Sequence, residues 1–262
     1  MNARSLALLL LAAGLARAAD PAPAAPAELP PSEATEYWTP VPVDVATPTG
    51  QPPSDAIVLF DGGNLDAWES AVTSGQPASW RIDAGTLIPV RKSGHIRTKA
   101  AFGDLQLHLE FRFSSDISGS SQLRGNSGVF LMGLYELQVL DSYHNPTYVN
   151  GQAASIYKQH PPLVNAARPP GEWQAYDVVW QAPRFAPDGQ VLAPARITVL
   201  QNGVVVQHAA VLRGGTVNRG TPAYQAHAAK LPLMLQAHKN DSQDPLAYRN
   251  IWVREIHLPD SP

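Results

Sequence analysis

The chain has 262 residues, is 44% hydrophobic and 16% charged, and carries a formal net charge of −3 with no cysteine. This length holds one large domain or two small ones, and the composition is that of a core-forming globular protein with few surface charges. The negative balance argues against nucleic acid as a partner, and the lack of cysteine excludes both disulfides and a lipid-modified cysteine, so the core alone must hold the fold.

The first residues read as a secretory signal. Arg4 gives a short positive start, Leu6 to Leu15 is an apolar run too short to span a bilayer, and Ala16-Arg17-Ala18 places small residues at the cleavage spacing. Cleavage is expected after Ala18 or one residue later. It removes Arg4 and Arg17 and no acid, taking the formal charge from −3 to −5. The expected organisation is therefore a signal over 1–18, a tether over 19–53 and a globular domain over 54–262. The expected location is periplasmic or secreted, in a bacterium, with no membrane anchor. The tether is rich in Pro and Ala, which favour extended chain; Tyr37-Trp38 is the one pair there suited to docking on the domain.

From Ser54 onward the pattern is of short strands and turns. Ile57 to Phe60 is an apolar strand stopped by Asp61-Gly62-Gly63-Asn64. Asp83-Ala84-Gly85 reads as a hairpin turn between Trp80–Ile82 and Thr86–Ile88, and His95 to Thr98 is a short strand. From Leu105 to Phe113 apolar residues alternate with Gln106, His108, Glu110 and Arg112, which read as a solvated strand face.

Arg124 to Asp141 is the most informative stretch. A polar turn, Arg124-Gly125-Asn126-Ser127-Gly128, precedes an apolar run, and Tyr135 to Asp141 then alternates. Strand side chains have period two, so Glu136 and Gln138 share one face while Leu137 and Val139 share the other. Asp141 has the opposite parity and reaches the face of Glu136 only if the strand ends or bulges there; otherwise it fixes the following loop. Ser142 to Trp173 is long and irregular, with Tyr143, His144, Tyr148, Gln152, Tyr157, Lys158 and His160, and a loop of this length in a compact domain is usually functional or disordered. Strands resume at Tyr176–Trp180, Ala195–Gln201, Val204–Val211, Leu231–Gln236 and Arg249–Leu258. Asn202-Gly203 is the strongest local hairpin signal. No window carries a helical stripe, so the expected class is all-β, a sandwich or jelly roll.

Several chemistries are absent from the pattern: there is no Walker loop, no dinucleotide glycine fingerprint, no His-Glu-x-x-His pair and no Gly-x-Ser-x-Gly elbow around Ser127. His144, three residues beyond Asp141, is placed to share a metal with it, although a loop histidine beside a carboxylate is more often simply hydrogen-bonded. A sheet face with Glu136 and Gln138, an Arg/Asn turn before it and an aromatic loop after it suits a sugar, whose hydroxyls want carboxylate, amide and guanidinium partners and whose C–H faces stack on aromatic rings. Composition does not separate a sugar-binding module from a sugar-cleaving enzyme.

In order and spacing, the motifs resemble the 3-keto-disaccharide hydrolase domain family from about Asp55 to Leu258. They are Leu59-Phe60-Asp61-Gly62, Trp80 with Gly85-Thr86-Leu87, Gly94-His95-Ile96, Leu109-Glu110-Phe111-Arg112, Arg124 to Val129, Tyr135 to Asp141, Gly151 to Tyr157, Trp173 with Tyr176-Asp177, Asn202-Gly203 and Arg249 to Trp252. The resemblance implies a concanavalin A-like jelly-roll sandwich of two antiparallel sheets. It also implies an extracytoplasmic enzyme acting on glycosides oxidised at C3, cleaving them by C2 proton removal, elimination at C1 and hydration. Such a reaction needs a base, a group on the C3 oxygen and an acid for the leaving group.

Carried onto this chain, the resemblance points to Glu136, Lys158 and Asp141 as catalytic and to Arg124, Asn126, Gln138, Tyr157 and His238 as substrate-binding. Glu136 is expected as base or metal ligand, and Arg124 or Lys158 as the group polarising the carbonyl. A divalent metal cofactor is left open. One departure stands out: relatives carry an acid and a glycine around the histidine where this chain has Ala237-His238-Lys239, which keeps a non-catalytic lectin-like protein as the alternative. An ordinary glucanase of the same fold would need a second carboxylate about 5–9 Å from Glu136, and Gln138 fills the next position on that face.

Overall fold

The computed structural model describes residues 30–90, 92–238 and 246–257. The expected signal, Lys239 and Leu258 lie outside the described residues. The chain divides into two units, Met1–Asp44 and Val45–Pro262. In the first, Ser32–Thr35 forms a single 3₁₀ turn, and Tyr37 and Trp38 are exposed.

The second unit is all-β, with no α-helix among its described residues. One large sheet runs in the order Val204–Val211, Arg196–Gln201, Gln174–Gln181, Leu105–Phe113, Leu246–Glu255, Thr86–Ile88 and Arg81–Asp83, with Ile57–Phe60 also paired to Leu246–Glu255. The other runs Trp68–Ser70, Ile96–Phe102, Leu231–Leu235, Asn126–Leu131 and Tyr135–Leu140. All pairings between these strands are antiparallel. The expected concanavalin A-like jelly-roll sandwich is the fold observed.

Alternation in the sequence builds the core between the sheets. Leu105, Leu107, Leu109, Phe111 and Phe113 of the large sheet are buried, as are Ile96, Val129, Leu131, Leu137, Val139, Leu233 and Leu235 of the smaller one. Each such side chain contributes roughly 1.5–3 kcal/mol on burial, which is how a cysteine-free chain holds a sandwich of this size. On the outer face of the large sheet, His108 and Glu110 are not merely solvated. His108 Nδ1 is 2.6 Å from Asp177 Oδ1, and Glu110 accepts from Asn250 Nδ2 and Arg249 Nε.

Turn chemistry follows the sequence closely. Asn202 and Gly203 take φ of +54° and +82° and close a two-residue hairpin between Gln201 and Val204. Ala84 and Gly85 do the same between Asp83 and Thr86. The last strand begins at Leu246, three residues before the expected Arg249, because its early residues pair with Phe113, Arg112 and Phe111.

Candidate functional site

The site grows out of the smaller sheet's outer face. Asn126–Leu131 and Tyr135–Leu140 pair so that Gly128 lies opposite Gln138 and Phe130 opposite Glu136. On the other side Met234 faces Phe130, and the Gln236 N–H donates to Gly128 O at 3.0 Å. One row across the face is therefore Gln138, Gly128, Gln236; the next is Glu136, Phe130, Met234. Continuing the first row places His95 beyond Gln236, where its Nδ1 accepts the Ala237 N–H at 3.0 Å. Ser127, on the inner face, donates to Gln236 O and accepts from Tyr248, a structural role.

Part of the long loop extends the sheet. Ala154 donates to Gln138 O, Gln138 donates to Ser155 O, and Tyr157 donates to Glu136 O, at 3.0, 3.0 and 3.1 Å. Residues 154–157 thus act as a further edge segment, with Tyr157 beside Glu136. The segment after Leu212 closes the rim: the Glu136 N–H donates to Thr216 Oγ1 at 2.9 Å. The result is a cleft of about 440 Å³ lined by His95, Asn126, Phe130, Glu136, Gln138, Tyr157, Thr216, Asn218, Gln236, Ala237 and His238.

Glu136 is the single carboxylate among the described lining residues. It is 6% exposed, and burial pushes its carboxyl up to about 8, because a charge held in low dielectric is disfavoured. Gly128 makes room for it: a Cβ there would stand 2.6 Å from Glu136 Oε1.

Gln138 is oriented by a chain of amides. Gln122 Nε2 donates to Gly151 O at 2.8 Å, which leaves its Oε1 to accept from Gln138 Nε2 at 3.1 Å and Asn126 Nδ2 at 3.3 Å. Gln138 Oε1 is consequently turned away from these partners. It is buried with no hydrogen-bond partner, and so is Gln236 Oε1. A buried unpaired acceptor costs about 1–3 kcal/mol, a cost that a ligand donor in the cleft would remove. One carboxylate and two amide oxygens could equally hold a hard cation; among the described residues no group of three or more His, Cys, Asp or Glu is arranged for a metal.

The cleft brings together Glu136, Gln138, Asn126, Tyr157 and His238 from the residues singled out in the sequence. Arg124, Asp141 and Lys158 are placed elsewhere. Arg124 Nε donates to Asp141 Oδ2 at 2.8 Å and its Nη2 to Tyr143 O. Asp141 Oδ1 accepts the Tyr143 N–H, and its backbone oxygen accepts from Asn145. Asp141 therefore stands where the parity argument allowed, fixing the start of the loop. His144 is exposed and packs edge-on against Tyr143. Lys158 Nζ donates to Asn218 O and Oδ1 at 2.5 and 2.9 Å, holding a rim residue in place. His95, Gln122, Thr216, Asn218 and Gln236 were not legible as site residues, since their strands and loops meet only in the fold.

Replacing Asp141 by alanine should leave the largely buried Arg124 without its counter-charge. We expect a loss of about 3 kcal/mol of stability, hence a melting temperature lower by roughly 6–12 °C, with the chemistry of the folded fraction largely intact. Thermal denaturation alongside turnover checks this; a full loss of turnover at unchanged melting temperature would contradict it.

A polar cleft with a carboxyl, amides, imidazoles and a tyrosine, set on one sheet of the sandwich, defines the class of β-sandwich proteins with a ligand cleft on one sheet face. Within that class the chain belongs to the 3-keto-alpha-glucoside-1,2-lyase-like domain family, whose family model matches residues 55–254. It is 28% identical over 152 residues to the 3-keto-disaccharide hydrolase of Bacteroides thetaiotaomicron, a match covering 47% of this chain and 52% of that protein. The chain thus spans about half the length of this curated relative. It is 47% identical to a Parabacteroides distasonis protein of known structure described as a candidate glycosyl hydrolase, with a TM-score of 0.82 over 86% of this chain and 97% of that one. A second such protein from the same organism shares the fold at 20% identity, with a TM-score of 0.54 over 77% of this chain and 99% of that one.

Proposed function

We propose that the protein cleaves glycosides bearing a ketone at C3, with Glu136 as the base. The observation that carries this reading is the lone carboxyl: among the described lining residues, the cleft offers one buried acid, not the pair flanking the bond in an ordinary glycosidase. Elimination from a 3-keto-glycoside needs only one base. Ionised Glu136 takes the C2 hydrogen as a proton, and the C–H electron pair becomes the C2–C3 enolate. The enolate reforms the C3 carbonyl, a C1–C2 double bond forms, and the aglycone leaves C1 with the bond pair and takes up a proton. Water then adds across the double bond, its oxygen to C1 and a proton to C2, so the net result is hydrolysis.

A carboxyl titrating near 8 is a far stronger base than an ordinary one, so burial serves the chemistry. Gln138 Oε1 and Gln236 Oε1 accept sugar hydroxyls, and Tyr157 offers an aromatic wall. A divalent cation, if bound, would be held by Glu136 and these amide oxygens and would supply Lewis-acid polarisation. The leader pattern of Arg4, Leu6–Leu15 and Ala16–Ala18 supports an extracytoplasmic setting for this activity.

The test is turnover of a 3-keto-disaccharide beside its unoxidised parent, followed by sugar release. Cleavage of the keto-sugar alone is the expected outcome. Binding of either sugar without cleavage would leave the lectin-like alternative.

A further inference from the structure

We propose that His95 is the neutral hydrogen-bond donor that holds the C3 oxygen of the substrate as it becomes an enolate, an assignment that rests on the keto-glycoside reading above.

The geometry fixes the tautomer. The Ala237 N–H points at His95 Nδ1 at 3.0 Å. A backbone amide can only donate, so Nδ1 must present its lone pair and the ring proton sits on Nε2. The ring lines the same cleft as Glu136, and Nε2 has no protein partner among the described residues. The backbone on either side is anchored: Trp80 Nε1 donates to Gly94 O at 3.0 Å, and Ala71 donates to His95 O at 2.9 Å. The donor is therefore aimed by the fold before any ligand arrives, which is what stabilisation of developing charge requires.

Charge state agrees with geometry. Burial pushes the His95 imidazole below its ordinary value, and the amide on Nδ1 blocks that nitrogen from taking a second proton. A neutral imidazole N–H is a poor source of a whole proton for a sugar leaving group but a good donor to an enolate oxygen. Arg124 and Lys158, the two cations expected from the sequence to polarise the carbonyl, are committed to Asp141 with Tyr143 and to Asn218. His95 takes that role from the side of the row opposite Gln138.

The experiment compares the full chain with His95→Gln and His95→Phe on two probes, a 3-keto-disaccharide and the 4-nitrophenyl 3-keto-glucoside, with the C2-deuterated form of each. His95→Phe should lower kcat about 10²–10³-fold on both probes alike, with KM little changed and the C2 isotope effect retained. His95→Gln should recover part of the loss, because its amide nitrogen can donate from a similar position. Loss confined to the disaccharide would make His95 the leaving-group acid and overturn the assignment. Equal loss in both variants with a lowered melting temperature would do so as well, by making it a support for Ala237. A wild type inert toward both keto-probes would overturn the proposed activity itself, and this assignment with it.

Discussion

Glu136→Gln should abolish turnover while leaving the protein folded. The carboxamide cannot take the C2 proton, and loss of a positioned base lowers kcat by about 10²–10⁴-fold. The pH dependence is the sharper check. The carboxyl titrates at about 8 in the fold against an ordinary 4.5, and only its ionised form is a base. For the wild type, kcat/KM should rise about tenfold per pH unit below that value and level off above it. A profile falling through 8 would instead make Glu136 an acid.

Stability should move the opposite way. A group whose folded value is raised favours the folded state fully below its unfolded value, near 4.5 here, and that contribution is lost as pH rises through the folded value of about 8. The loss at pH 9 is on the order of 4–5 kcal/mol. Glutamine does not ionise and keeps that contribution. The variant should therefore melt roughly 10 °C above the wild type at pH 9, with the gap closing near pH 5. Equal melting temperatures across the range would show that the carboxyl is better solvated than its burial implies. A variant that is more stable at alkaline pH and inactive would be the mark of a buried acid kept for chemistry.

Gly128→Ala should also be damaging at the site. The new Cβ would lie 2.6 Å from Glu136 Oε1 and 2.8 Å from Phe130 Cε2. Both are ends of side chains, so the fold can yield while the carboxyl must move. Displacing a reacting group by about an ångström costs on the order of 10²-fold in rate. We expect kcat to fall by about that factor with the strand pairing intact. Turnover and far-ultraviolet circular dichroism on the same sample would decide. Near-normal kcat would mean that Glu136 has another productive position, and loss of secondary structure would mean that Gly128 serves folding.

Much of the fold could be read along the chain because its signals are local. Leu105 to Phe113 alternates, so one face had to be buried, and it packs in the core. Asn202-Gly203 accepts positive φ at both positions, and it closes a hairpin. The pairing of Glu136 with Gln138 on one face also follows from period two alone, and both line the cleft. Parity likewise warned that Asp141 would leave that face, and it pairs with Arg124 at the loop's root.

What period and propensity cannot express is which strands become neighbours. Sequence by itself determined that Glu136 shares a face with Gln138. Only the tertiary structure decided that Gly128, from the facing strand, opens the space its carboxyl occupies, and that Gln236 and His95 complete the row. Tertiary structure also decided that Lys158 bonds Asn218, and that Gln122 orients Gln138 from 16 residues away. The physical reason is that side-chain direction along one strand is a local steric property, whereas register between strands is settled by the burial of whole faces. A cleft assembled from several separate segments therefore exists only once the sandwich has closed.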